Sequence, residues 1–165
     1  MAKRVYSISF SNSTLTAAMP VFFINPKANG AGSGVRILSI RLSQSGSTTS
    51  AQERLQLYTQ VSTFPTMVSA TPASMQSDDP ASGITGGTAG AAGTAGVTGT
   101  AAGAGTKTPI LADAFNVLNG WLYVPVPEER PEMNTLATVT GMGLWFPAGP
   151  ATLTGWSGTL VYEEI

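Results

Sequence analysis

Apolar and polar side chains alternate wherever the chain shows a period. Tyr6, Ile8 and Phe10 alternate with Val5, Ser7 and Ser9, and Leu38, Ile40 and Leu42 with Ile37, Ser39 and Arg41. Leu55, Leu57, Thr59 and Val61 alternate with Gln56, Tyr58 and Gln60. Successive side chains of a strand point to opposite faces, so each segment predicts a strand with one face on a core. Val21–Ile24 predicts a short buried strand, and Trp121–Val124 another, closed by Pro125 and Pro127. Thr135 to Phe146 alternates loosely, with Gly141 and Gly143 marking a bend or bulge. In the last segment Gly158, Leu160 and Tyr162 oppose Thr159, Val161 and Glu163. Ala114–Leu118 is a further strand candidate, with a helical turn over 112–118 as the alternative. No segment carries a sustained 3.6-residue repeat with caps. The pattern predicts an all-β chain: an antiparallel β-sandwich of jelly-roll or Greek-key type. At least two of Trp121, Trp145 and Trp156 are expected in the core or at a subunit boundary, where indole N–H groups find partners.

The middle of the chain differs in kind. Ser82 to Thr106 holds nine Gly, seven Ala, six Thr and one each of Ser, Ile and Val, with no charge. Gly87, Gly90, Gly93, Gly96 and Gly99 fall at a strict period of three. Composition alone describes a flexible linker, yet disordered tracts stay soluble through charge and polar bulk, which this one lacks. A Gly-x-x period also suits chains that crowd a common axis, where only glycine fits. Three readings stay open: an ordered arm on a neighbouring subunit, a long surface loop, and a threefold glycine-axis bundle. The five glycines are the candidate subunit-contact residues. The expected organisation is one sandwich domain over 1–165, built from 1–70 and 108–165 and interrupted by this low-complexity insertion at about 71–107.

Composition narrows the chemistry. Apolar residues make up 42% of the 165, enough for a core, while Lys and Arg number 8 and Asp and Glu 9, or 10% charged; soluble domains average about 25%. A net charge of −1 gives no electrostatic footprint for phosphates, so nucleic acid is not an expected partner. The chain has no His and no Cys. That removes the usual zinc sites, Ser-His-Asp and Cys-His nucleophiles and thiol redox chemistry. No cofactor and no metal are expected. Lys3 and Arg4 lead into a Ser-rich stretch that no secretory apolar region resembles, so no signal peptide is expected. Val21–Ile24 falls far short of the roughly 20 residues of a membrane helix, and no membrane partner is expected.

Candidate motifs mostly dissolve on inspection. Gly103-Ala104-Gly105-Thr106-Lys107-Thr108 invites a phosphate-loop reading, but Thr106 separates glycine from lysine and Pro109 follows at once. Asp78-Asp79-Pro80 offers too few oxygens for calcium and reads as a solvated turn. Glu128-Glu129-Arg130 sits among Pro125, Pro127 and Pro131. Paired carboxylates can serve glycoside hydrolysis across a separation of about 5–10 Å, but adjacent glutamates in a proline-flanked turn point apart. The expectation is a rigid turn in which Arg130 bridges a carboxylate or carbonyl, with a subunit contact as the alternative. Neither reading makes the chain an enzyme. A surface so poor in charge is weakly protected against association, and charged groups are depleted at interface cores; a structural subunit is favoured.

Several segments form an ordered pattern: Asp113-Ala114-Phe115-Asn116-Val117, Gly120-Trp121-Leu122-Tyr123-Val124-Pro125, Pro127-Glu128-Glu129-Arg130-Pro131 and Ser157-Gly158-Thr159-Leu160-Val161-Tyr162-Glu163-Glu164. Tyr6–Phe10 and Val35–Ser43 fit it more loosely. This pattern resembles small β proteins encoded among the structural genes of tailed bacteriophages and prophages. The resemblance covers a little over half of the chain and omits the Gly/Ala/Thr tract. It implies a virion component made in the host cytoplasm: a capsid decoration (cement) protein on the capsid surface, often a homotrimer, whose partners are the major capsid protein and other virion subunits. The alternatives are a neck, tail or fibre-associated protein and, from a different class, a carbohydrate-binding sandwich whose exposed tryptophans stack on sugars.

Overall fold

The structure is a computed structural model that describes residues 4–16, 18–27, 34–88, 92–133 and 140–165. Its strands are β1 (Arg4–Ser13), β2 (Pro20–Asn25), β3 (Val35–Gln44), β4 (Gln52–Val61), β5 (Thr66–Ser69), β6 (Ala73–Ser74), β7 (Thr85–Gly86), β8 (Thr94–Ala101), β9 (Thr106–Asn116), β10 (Trp121–Tyr123), β11 (Glu132–Met133), β12 (Thr140–Trp145) and β13 (Trp156–Glu164). A 3-10 turn, Pro127–Glu129, links β10 to β11. The alternating segments all become strands. Ala114–Asn116 ends β9 and the chain then turns, so the helical alternative at 112–118 does not form. Thr135–Val139 of the loosely alternating segment lie outside the described residues, and β12 supplies the rest.

The strands form two sheets, ordered β10-β3-β13-β1-β6 and β5-β8-β2-β12-β4-β9; β11 also pairs with β3 and β7 with β8. All pairings are antiparallel except β7–β8. Within this all-β sandwich, β1-β13-β3-β10 faces β2-β12-β4-β9, and the chain passes between the sheets at almost every step. That strand order is the jelly roll, two Greek keys wrapped face to face. Tyr6, Ile8, Ile37, Ile40, Leu42, Leu160 and Tyr162 from the first sheet meet Phe22, Ile24, Leu55, Leu57, Met142 and Leu144 from the second in one buried core. Trp156 lies wholly inside it: its Nε1–H donates to the Thr152 carbonyl at 2.7 Å, and its ring packs edge-on against Phe115 and Phe146.

Between β4 and β9 the described residues add β5, β6, β7 and β8 to the two sheets. β8 lies between β5 and β2 in the second sheet, and β6 extends the first sheet beyond β1. The insertion therefore widens both sheets at the edge opposite β9 and β10. Polar contacts hold it there: Tyr6 Oη donates to the Pro80 carbonyl at 2.8 Å, the Val5 amide to Asp79 Oδ2 at 3.3 Å, and the Ile84 amide to the buried Glu164 Oε1 at 3.3 Å. Asp79, expected in a solvated turn, is thus part of the clamp.

A second, smaller core sits on the outer face of the second sheet. Phe23 of β2 is buried against Tyr58 of β4 and Met67 of β5, with Phe64 and Trp145 packed around them. β2 is buried on both faces for this reason. Gly141 and Gly143 of β12 leave the space the aromatic rings occupy: a Cβ on Gly143 would lie 2.8 Å from Phe23 Cδ2 and 2.7 Å from Tyr58 Oη. Tyr58 Oη is buried without a hydrogen-bond partner among the described residues, and burial pushes the phenol above its ordinary range. A raised folded-state value means that its contribution is fully present below the unfolded tyrosine value near pH 10 and fades as pH rises beyond it. Burial likewise raises Tyr6, Tyr123 and Tyr162. Tyr58→Phe removes an unsatisfied hydroxyl, so denaturant titration should show stability unchanged or up by as much as about 1 kcal/mol at neutral pH. The gain over the parent should widen above about pH 10.

Candidate assembly surface

The free edges of the sandwich are poorly suited to strand addition. β5 and β6 end their sheets with only 4 and 2 residues. β9 is longer, 11 residues and mostly exposed, but Pro109 withholds an N–H and the register slips between Leu111 and Pro109, leaving Ile110 as a bulge. β10 is 3 residues long and runs into Pro125 and Pro127. Prolines, bulges and short edge strands are how sheets avoid pairing with other chains. Any contact on this side is made by side chains.

Side chains there are conspicuously apolar. Leu122, Val124 and Val126 are 61%, 62% and 55% exposed, while the intervening Tyr123 is half-buried and Pro125 buried. Exposed and covered positions alternate from Leu122 to Val126, so the three apolar side chains stand outward along one stretch of chain. Leu118 and Ile110, 51% and 47% exposed, belong to the same edge of the molecule. Beside the stripe a cleft of about 490 Å³ opens between the sheets, lined by Leu57, Ile110, Leu111, Tyr123 and Met142, with Glu129 and Glu132 also in its wall.

The proline-flanked turn lies at the end of this stripe. Glu128 and Glu129 are exposed, as expected of a turn. Among the described residues no carboxylate pairs with Arg130, and its Nε is buried without a hydrogen-bond partner. The bridging cation is Arg36 of β3, whose Nη1 donates to Glu163 Oε2 at 3.2 Å and whose Nε donates to Glu132 Oε1. Arg36 thus ties β3 to β11 and β13, a pairing of residues about a hundred positions apart that no local pattern announces.

Four of the five periodic glycines can be placed, and Gly90 lies outside the described residues. Gly87, Gly93, Gly96 and Gly99 each abut their own chain. A Cβ on Gly87 would meet Thr94 Cγ2 at 2.7 Å, one on Gly93 Lys27 Cγ at 2.8 Å, and one on Gly99 the Pro20 carbonyl at 2.9 Å; one on Gly96 would strike Met67. Gly93 also has φ +76°, where glycine is favoured. Within β8 the spacing of three between Gly96 and Gly99 goes with an irregular strand. Thr98 has φ +44°, and the register slips between Val68 and Thr66, so Gly96 and Gly99 both come under Met67 instead of pointing to opposite faces.

The tryptophans are likewise committed inside the molecule. Trp156 is fully buried; Trp121 is buried, with its Nε1–H donating to Asp113 Oδ2 at 2.8 Å. Trp145 is half-buried and donates to Gln56 Oε1 at 3.1 Å, with Lys107 Nζ 5.6 Å from its ring centroid. Burial lowers the Lys107 ammonium from its ordinary value. Trp121 and Trp156 are thus covered, and Trp145 keeps part of its ring at the surface. Compared with known protein families, curated proteins and solved structures, the chain matches none.

Proposed function

We propose that the chain is a structural virion protein of a tailed bacteriophage, a capsid decoration protein that stabilises the head by binding neighbouring major capsid subunits. One observation carries the assembly role: a jelly roll with only 10% charged residues exposes apolar side chains, Leu122, Val124 and Val126, on an edge where strand addition is blocked. An exposed apolar patch rimmed by polar groups marks an interaction surface. The resemblance of the segments around this stripe to phage structural proteins supplies the assembly. Binding is by burial of side chains between finished sandwiches, and no reaction is catalysed.

Heads assembled without the protein should release their DNA at a lower temperature than complete heads, and adding the purified chain should restore the difference. Electron microscopy should place many copies over the head lattice. Equal resistance with and without the protein would overturn the decoration role. A few copies confined to the neck or tail would move the protein there.

A further inference from the structure

We propose that the Leu122-Val124-Val126 stripe is a two-fold contact between two copies of this chain. The inference rests on the reading of this edge as an assembly surface and names its partner. In a two-fold interface the same patch serves both copies, so the patch must complement itself after an antiparallel overlay. The stripe does. Leu122 lies opposite Arg41 of β3 in register, and the exposed Arg41 makes no ion pair among the described residues. At the other end the exposed Glu128 and Glu129 follow Val126.

Overlaying two stripes in opposite directions about Val124 seats Leu122 on Val126 of the second copy and the two Val124 side chains on each other. The same overlay carries Arg41 toward Glu128 and Glu129 of the second copy, at both ends of the contact. The result is an apolar centre with charge pairs at the rim, the composition of a protein interface. Pro125 and Pro127 offer no backbone donors, so the two copies pack face on face and do not join their sheets. A parallel overlay would set Arg41 against Arg41 and the glutamates against each other, which like-charge repulsion disfavours.

The chain has no cysteine, so a single introduced thiol reports on itself. The full chain should sediment as a dimer at micromolar concentration. Val124→Cys should oxidise to a covalent dimer, because only a residue near the two-fold axis meets its own copy; Met75→Cys, equally exposed but far along the chain, should stay monomeric. Val124→Asp should give a folded monomer, checked by circular dichroism. Arg41→Glu should weaken the dimer about tenfold, and Glu128→Arg with Glu129→Arg in the same chain should recover it. A monomeric wild type, or an oligomer indifferent to Val124→Asp, overturns the proposal. If the wild type is monomeric and Val124→Asp loses binding to virus particles, the stripe faces another virion protein: the two-fold contact fails and the structural role stands. If Val124→Asp changes neither property, the assembly surface fails with it.

Discussion

Gly96→Val is expected to cost about 3 kcal/mol in stability, lowering the thermal midpoint by roughly 6–12 °C, without any partner present. The residue lies in β8 between β2 and β5, paired with Phe23 on one side and Ser69 on the other. A Cβ there would run into the Met67 side chain and lie 3.0 Å from the Val68 carbonyl oxygen. Met67 is buried in the outer core against Phe23 and Tyr58, so it has little room to retreat, and the carbonyl belongs to a paired strand. Overpacking of this sort is relieved only by shifting backbone. Urea titration of the isolated chain distinguishes two roles for the glycine register. If the glycines serve packing within one chain, stability falls and the unfolding slope holds. If they serve contacts with a neighbouring subunit, the isolated chain is as stable as the parent and only assembly suffers.

The glycine tract also shows where legibility ended. The strands at 6–10, 121–123 and 156–164 were readable because each buries one face, and a buried face forces alternation; at 37–42 a register shift beside Leu38 buries Ile37 in place of Leu38, and β4 buries Leu55 and Leu57 on one face and Tyr58 on the other. β8 buries Ala95, Val97 and the glycines with almost no side-chain bulk to mark a face, and the bulge at Thr98 resets its phase. The two glycines of β8 therefore stand three apart on one face. The sandwich was therefore readable, but not the place of β8 between β5 and β2 in the second sheet. Arg130 illustrates a different limit. Its place in a rigid turn follows from the prolines around it, whereas the choice of Arg36 as the bridging cation depends on β3, β11 and β13 meeting, which is tertiary information. The exposed stripe lay in plain view within Trp121-Leu122-Tyr123-Val124-Pro125-Val126. The alternation marks the buried positions, whereas a single outward-facing valine is ordinary and carries a signal only where three stand together.

Glu164→Ala should destabilise the protein by about 2–4 kcal/mol and do so unevenly, loosening the insertion before the jelly roll. The Glu164 side chain is completely buried at the end of β13. Its Oε1 accepts from Ser82 Oγ at 2.5 Å and from the Ile84 amide at 3.3 Å, and Arg4 Nη1 stands 3.8 Å from Oε2. Ser82 Oγ lies 3.0 Å from Tyr162 Oη, so one carboxylate organises a buried chain of hydroxyls that joins residues 82–84 to β13. Alanine leaves the Ile84 amide with only Ser82 Oγ, and leaves that hydroxyl without its acceptor. A buried donor deprived of its partner costs more than the bond contributed. Glu164→Gln keeps an acceptor at Oε1 and should recover most of the loss, which separates the hydrogen-bonding role from simple filling of space. Hydrogen exchange is the discriminating measurement. In the alanine variant the amides of Ile84, Thr85 and Gly87 should exchange faster under native conditions, while those of Ile40 and Leu160, in the middle of the first sheet, should change only as much as global stability does. Uniform acceleration across both sets would mean that the insertion and the jelly roll unfold as one unit, and that the clamp at Glu164 does not define a separable layer of the fold.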